Sequence, residues 1–261
     1  MNFISKDFRI QHLSYYQLLI YAGHQEDVLL IIDQEQTVQA YLRYPSSSPT
    51  LEATRLLALP FAKVFIVIPQ HSVTFVPAEV YQQKDEALYE EYLVNKNDED
   101  VYTVNVANFG LQAVYQFDSL LYKRWKTLFP DALYAPFFQV LFDLVPQDLS
   151  LGAHIILHQT DDQMHLVIVQ NGQFVFYNQF LVDNAADLGY YVRRVMQDFE
   201  IESFESILLS NIAFEDDLLR FIKSFSARIE CLKINNQQNA AESTDLSSGL
   251  FASIFQRELC V

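Results

Sequence analysis

The 261-residue chain is 51% hydrophobic, which suits one large domain or two small ones and excludes disorder. Its 33 Asp and Glu against 17 Lys and Arg leave a net charge of −16. Such a charge excludes a counterion-driven nucleic-acid surface and disfavours contact with an anionic membrane.

Two cysteines, Cys231 and Cys260, give neither a disulfide framework nor a metal knuckle. The opening Met1–Asp7 lacks the charged and apolar regions of a signal peptide. No apolar run approaches the ~18 residues of a membrane span, so a cytoplasmic protein is expected.

Tyr16–Ala22, Asp27–Asp33 and Gln36–Tyr44 read as three strands. Ser46–Pro49 is a loop, with Pro49 suited to a helix start, and Leu51–Leu59 is a short helix. Lys63–Ile68 reads as a buried strand bounded by Pro69. Asp85–Val94 is an acidic helix, whose carboxylates Asp85, Glu86, Glu90 and Glu91 make a solvated face. After a polar loop at Asn95–Asp100, strands are expected at Val101–Ala107 and Leu111–Phe117. Asp118 or Ser119 then caps a helix carrying Leu121, Trp125 and Leu128, and Pro136–Val145 reads as a buried apolar helix.

The second half is plainer. Ala153–Gln159, Met164–Gln170 and Gln173–Leu181 form an antiparallel meander, with Asn171-Gly172 as a type I′ turn. Asp183 or Asn184 caps a helix whose apolar stripe is Leu188, Tyr191, Val192, Val195, Met196 and Phe199. Ser206–Leu209 is a strand. Asn211 caps a second helix with Phe214, Leu218, Phe221, Ile222 and Phe225 inward, and Arg228–Ile234 is a final strand holding Cys231. Residues 235–248 read as a polar linker. Residues 249–261 form an amphipathic segment with Leu250, Phe251, Ile254, Phe255 and Leu259 on one stripe. It either docks on the body or presents Phe251 and Phe255 to a partner.

Both halves thus follow one strand–strand–strand–helix–strand plan. Duplicated within one chain, that plan resembles the actin-like ATPase fold. Residues 155–225 also resemble a bacterial family of proteins of unknown function with that fold. The likeness rests on Phe176-Tyr177-Asn178-Gln179-Phe180, on Asp187-Leu188-Gly189-Tyr190-Tyr191 and on Phe75-Val76-Pro77-Ala78-Glu79. It implies an α/β fold of two actin-like (ribonuclease H-like) subdomains with mixed sheets. The first, over residues 1–150, carries inserted strands and helices; the second covers residues 151–234. The superfamily includes sugar kinases, chaperone ATPases, cytoskeletal filaments and pilus or secretion assembly proteins, so fold alone does not select a function.

The resemblance places an Asp-x-Gly phosphate hairpin at the first turn of each subdomain. Here those turns read Ala22-Gly23-His24-Gln25 and Thr160-Asp161-Asp162-Gln163. The first keeps a glycine without its aspartate. The second has carboxylates without a glycine, and these would repel phosphate unless a cation bridged them. The chain has six glycines, all isolated, and no Walker A or Gly-x-Gly-x-x-Gly loop. The Asp-x-Gly at Asp187-Leu188-Gly189 falls inside a helix, the wrong context.

If Asp161-Asp162 is a two-residue turn, His158 and His165 stand opposite each other, and His154 shares their face. Three imidazoles there could bind zinc or copper; the plainer reading is an exposed sheet face with ordinary histidines. Asp161 and Asp162 could hold Mg²⁺, or serve only as turn residues. Lys123-Arg124-Trp125-Lys126 could bind an anion, or be a solvated helix face with Trp125 buried.

Two functions follow. The first is a non-catalytic actin-like scaffold that binds a protein partner, with ATP hydrolysis lost and no cofactor. The alternative is a divergent sugar-kinase-like or other ATP-dependent phosphotransferase, using Mg-ATP in a cleft lined by Gly23, His24, Asp161, Asp162 and Asn211.

Overall fold

The computed structural model describes residues 2–35, 37–93, 100–143, 145–146, 148–149, 151–160, 163–210, 220–226 and 228–231. The chain divides into two units, one ending at Val140 and the other beginning at Leu141.

Unit 1 contains, in order, β1 (Phe3–Ile4), β2 (Gln17–Tyr21), β3 (Glu26–Ile32), β4 (Val38–Pro45), α1 (Leu51–Leu57), β5 (Lys63–Ile68), β6 (Gln70–Pro77) and α2 (Glu86–Glu90). There follow β7 (Tyr102–Val106), β8 (Leu111–Phe117), α3 (Ser119–Leu128), β9 (Leu133–Pro136) and α4 (Phe137–Asp143), whose last turn lies past the division. The main sheet has the order β1-β4-β3-β2-β5-β9. In it β2, β3 and β4 are an antiparallel meander, and β5 and β9 run parallel to β2. Leu18–Ile20, Leu29–Ile32 and Ile66–Ile68 are all buried, so both faces of this sheet are covered; continuous apolar runs in β2, β3 and β5 are the sequence signature of that.

The helical expectations hold with shorter ends. Thr50 caps α1, its hydroxyl accepting from Ala53 N at 3.2 Å, and Pro49 lies just before the cap and not inside the helix start. Asp118 caps α3 through Leu121 N at 2.9 Å, and Trp125 is buried. The acidic helix is only Glu86–Glu90, entered by a 3₁₀ turn at Gln83–Asp85. Three strands escape the sequence reading: β1, β6 and β9. Pro69 interrupts the ladder because it has no N–H, and the chain leaves the main sheet there to start β6 in a separate sheet of order β6-β8-β7. Strand β9 has four residues and lies at a sheet edge, the place in a sheet where a terminal Pro136 is tolerated. The apolar helix therefore starts at Phe137, one residue late.

Unit 2 contains β10 (Ala153–Thr160), β11 (Gln163–Gln170), β12 (Gln173–Leu181), α5 (Ala185–Asp198), β13 (Ser206–Ser210) and β14 (Ile229–Cys231). Its sheet has the order β12-β11-β10-β13-β14. Again three antiparallel strands are extended by parallel ones, β13 and β14. The two sheets agree even in a bulge: Gln39 in β4 and Val175 in β12 are the residues left over where the middle strand passes Ile31 and Ile168. Asn171 (φ 52°) and Gly172 (φ 77°) make the β11–β12 turn with two positive φ angles, as read. Asn184 caps α5, accepting from Ala186 N at 2.8 Å and Asp187 N at 3.1 Å. The helix lays Leu188, Val192 and Val195 on Ile155, Leu157, Met164, Leu166, Ile168, Ile207 and Leu209. Each fully buried side chain of this kind contributes about 1.5–3 kcal/mol. The expected second helix reaches the described residues only at Arg220–Ile222, with Ile222 in this core. Residues 211–219, the linker 235–248 and the segment 249–261 lie outside the described residues.

Candidate functional site

The turn joining β2 to β3 is where the resemblance would put a phosphate. Gly23 opens it, and Asp27 follows one residue inside β3. A buried aspartate followed in its strand by Val-Leu-Leu-Ile-Ile must find partners, because a buried carboxylate without them is costly. Asp27 finds them in the turn itself. Its Oδ1 accepts from Gly23 N–H at 3.1 Å and from Arg124 Nη2, on α3, at 2.6 Å. The Asp27 side chain is 3% exposed and that of Arg124 32%. Arg124 also lies over the indole of Trp125, 5.0 Å from the ring centroid. Tyr44, directly opposite Asp27 in the β3–β4 ladder, stays protonated; burial raises its pKa first and the Asp27 carboxylate second.

The next residue of the turn is tied down too. His24 Nε2 lies 3.3 Å from Asp118 Oδ2, and the His24 carbonyl accepts from the Ser46 hydroxyl at 2.5 Å. Asp118 thus caps α3 and pins the turn. A hairpin that in an ATPase directs N–H groups at a phosphate here directs one at a carboxylate of its own chain. An incoming phosphate would find that N–H already taken by the Asp27 carboxylate.

The histidines of unit 2 occupy the sheet face opposite α5. His158 and His165 are directly opposite in the register, as the turn spacing predicts, and their ring centroids are 6.1 Å apart. The expectation of an exposed face is wrong: His154, His158 and His165 are 5%, 0% and 2% exposed. Period-two alternation assigns residues to a face but cannot tell which face another layer covers. Here α4 contributes cover, with Phe142 against Phe174 and Tyr177 at 5.4 and 5.5 Å. Each imidazole is bonded to hydroxyls or a carbonyl. His158 Nδ1 meets Ser210 Oγ at 2.8 Å; His165 meets Thr160 Oγ1 at 2.9 Å and Tyr177 OH at 3.0 Å. Burial drives the His165 pKa down to about 3 and that of His158 well below its usual value, the latter also through the neighbouring His165. The His158 and His165 rings, held neutral by burial and bonded to hydroxyls, are arranged to fill a core. Among the described residues no three His, Cys, Asp or Glu side chains converge on a metal position.

The other residues singled out fall as follows. Asp161, Asp162, Asn211, Phe251 and Phe255 lie outside the described residues. Gly189 sits inside α5, where a Cβ would come within 2.0 Å of Phe221 Cζ; this glycine serves ring packing. Asp27 was missed in the sequence, although an acid followed by five apolar residues inside one strand is a signal for a buried partner. The basic stretch around Trp125 supplied that partner: the anion bound by Arg124 is internal.

A family model for a protein of unknown function (DUF3822) matches residues 5–229. Among curated proteins none matches the sequence. A Bacteroides thetaiotaomicron protein with an actin-like ATPase fold and unknown function is similar at TM-score 0.70 and 15% identity, over 86% of this chain and 93% of that one. The PilM–PilN type IV pilus biogenesis complex is similar at TM-score 0.62 and 11% identity, over 94% and 98%. The cytoplasmic domain of EpsL, an inner membrane component of the type II secretion system of Vibrio cholerae, is similar at 0.55 and 11%, over 94% and 95%. The chain therefore has the actin-like ATPase fold; identities this low carry the fold alone.

Proposed function

The chain belongs to the DUF3822 family of proteins of unknown function, and from that premise we propose that it is a non-catalytic actin-like scaffold that binds a protein partner. The observation that carries this reading is the Asp27 carboxylate, which takes both the Gly23 N–H and the Arg124 guanidinium where a nucleotide phosphate would need donors. The isolated glycines of the sequence point the same way. The fold suits such a role: two similar structures belong to a pilus biogenesis complex and to a secretion-system component. In this reading the protein works in the cytoplasm, and among the described residues no helix is long and apolar enough to cross a membrane.

Calorimetry with Mg-ATP tests the loss of nucleotide chemistry. The expected result is no heat of binding and no phosphate release. Micromolar binding with turnover would overturn it in favour of a phosphotransferase.

A further inference from the structure

Unit 2 holds a cavity of ≈580 Å³ where the chain enters β10, β13 and β14. Its size lies within the roughly 300–1,000 Å³ range of small-ligand sites. Apolar wall comes from Pro146, Leu149, Leu151 and Leu208. The charged lining is unequal: Asp148, Glu205 and Glu230 face the one guanidinium of Arg228, and Arg228 Nε already bonds Glu230.

Glu205 is set in place by a glycine. Gly152 has φ +78°, and a Cβ there would lie 2.2 Å from Glu205 Cγ, so the carboxylate stem rests directly on the Gly152 backbone. That backbone is held by Asn171, which accepts Gly152 N–H at 3.1 Å and gives its own N–H to Gly152 O at 2.8 Å. Two of the buried lining residues, His154 and Ser206, are polar. In the neutral ring, His154 Nε2–H donates to Leu151 O at 2.7 Å, and Nδ1 accepts from the Ser206 hydroxyl at 2.8 Å. Ser206 Oγ keeps lone pairs that can accept from a ligand.

Apolar walls, a surplus of carboxylate and a buried acceptor together fit a cation on a hydrocarbon stem. We propose that this cavity is a binding site for a guanidinium or primary amine carried on a short apolar chain, either a free small amine or a basic side chain of another protein. The site does not depend on the scaffold reading of the fold.

Amide-resolved NMR of the full chain tests it, with agmatine as one probe and a capped leucine–arginine–leucine tripeptide as the other. Saturable shifts are expected at the amides of Glu205, Leu208 and Glu230. Glu205→Gln and Asp148→Asn should each weaken binding about five-fold, the scale of one partly screened ion pair. Glu202→Gln, outside the cavity, should leave it within about two-fold. Saturation by agmatine identifies a small amine as sufficient; saturation by the tripeptide alone identifies a protein-borne side chain. The site is overturned if neither probe gives saturable shifts at these amides, or if Glu202→Gln weakens binding as much as Glu205→Gln, because the attraction would then be the net charge of the chain.

Discussion

The two sheets share one order over five strands, with β1 added at the edge of the first, and one bulge position, yet they bury polarity in opposite ways. Unit 1 buries a charge, Asp27, and neutralises it with Arg124. Unit 2 buries neutral rings, His158 and His165, and satisfies them with hydroxyls. The first solution ties the β2–β3 turn to its own chain through the Gly23 N–H. The second fills a covered face without any charge. The same connectivity therefore constrains the backbone and leaves the electrostatics free.

The largest expected effect comes from breaking the pair in unit 1. Arg124→Met leaves Asp27 buried without its cation and should cost about 3–5 kcal/mol. Trp125 is the one tryptophan of the chain and is buried beside the pair, so its fluorescence reports unit 1. Denaturant unfolding followed at that wavelength should shift to lower midpoint, while a retained midpoint would mean that the pair carries little.

Acid should act on unit 2 instead. The folded pKa values of His158 and His165 lie below the unfolded value of 6.5. The unfolded chain therefore takes up protons first as pH falls. Stability from these rings is complete above pH 6.5 and declines below it, for His165 until about pH 3. Each ring contributes a slope of about 1.4 kcal/mol per pH unit within that window. His165→Asn should reduce the slope by roughly half. Unfolding curves between pH 5 and 7, followed by circular dichroism, check both; a slope unchanged in the variant would contradict the assignment.

Smaller effects compare the two helix starts. Asn184→Ala removes two cap bonds from α5 and Thr50→Ala one from α1, each costing about 1 kcal/mol, with Asn184 the larger. Smallest are the exposed pairs Arg43–Glu26 in unit 1 and Arg194–Asp198 in unit 2, each worth about 0.5 kcal/mol or less by double-mutant cycle.

Much of this frame was legible because it is written locally. Asn171-Gly172 fixes a turn through φ, the Leu188–Val192–Val195 stripe fixes a helix face, and Asn184 fixes its start. Strand β6 was not legible, since Pro69 looked like an end and proved to be a change of sheet. The candidate site was half legible. Gly23, His24 and the basic stretch around Trp125 were each noticed, but Asp27 and Arg124 are 97 residues apart, and no local pattern encodes their meeting. The histidine face was placed correctly in register and wrongly in exposure, because the covering residue Phe142 belongs to a different element.

The most direct test of the central claim is the amide resonance of Gly23 in a titration with Mg-ATP. With its N–H held by Asp27, the resonance should stay unmoved through the whole titration. A saturable shift of the Gly23 amide would show that the turn still offers its donor to phosphate, and would contradict the account.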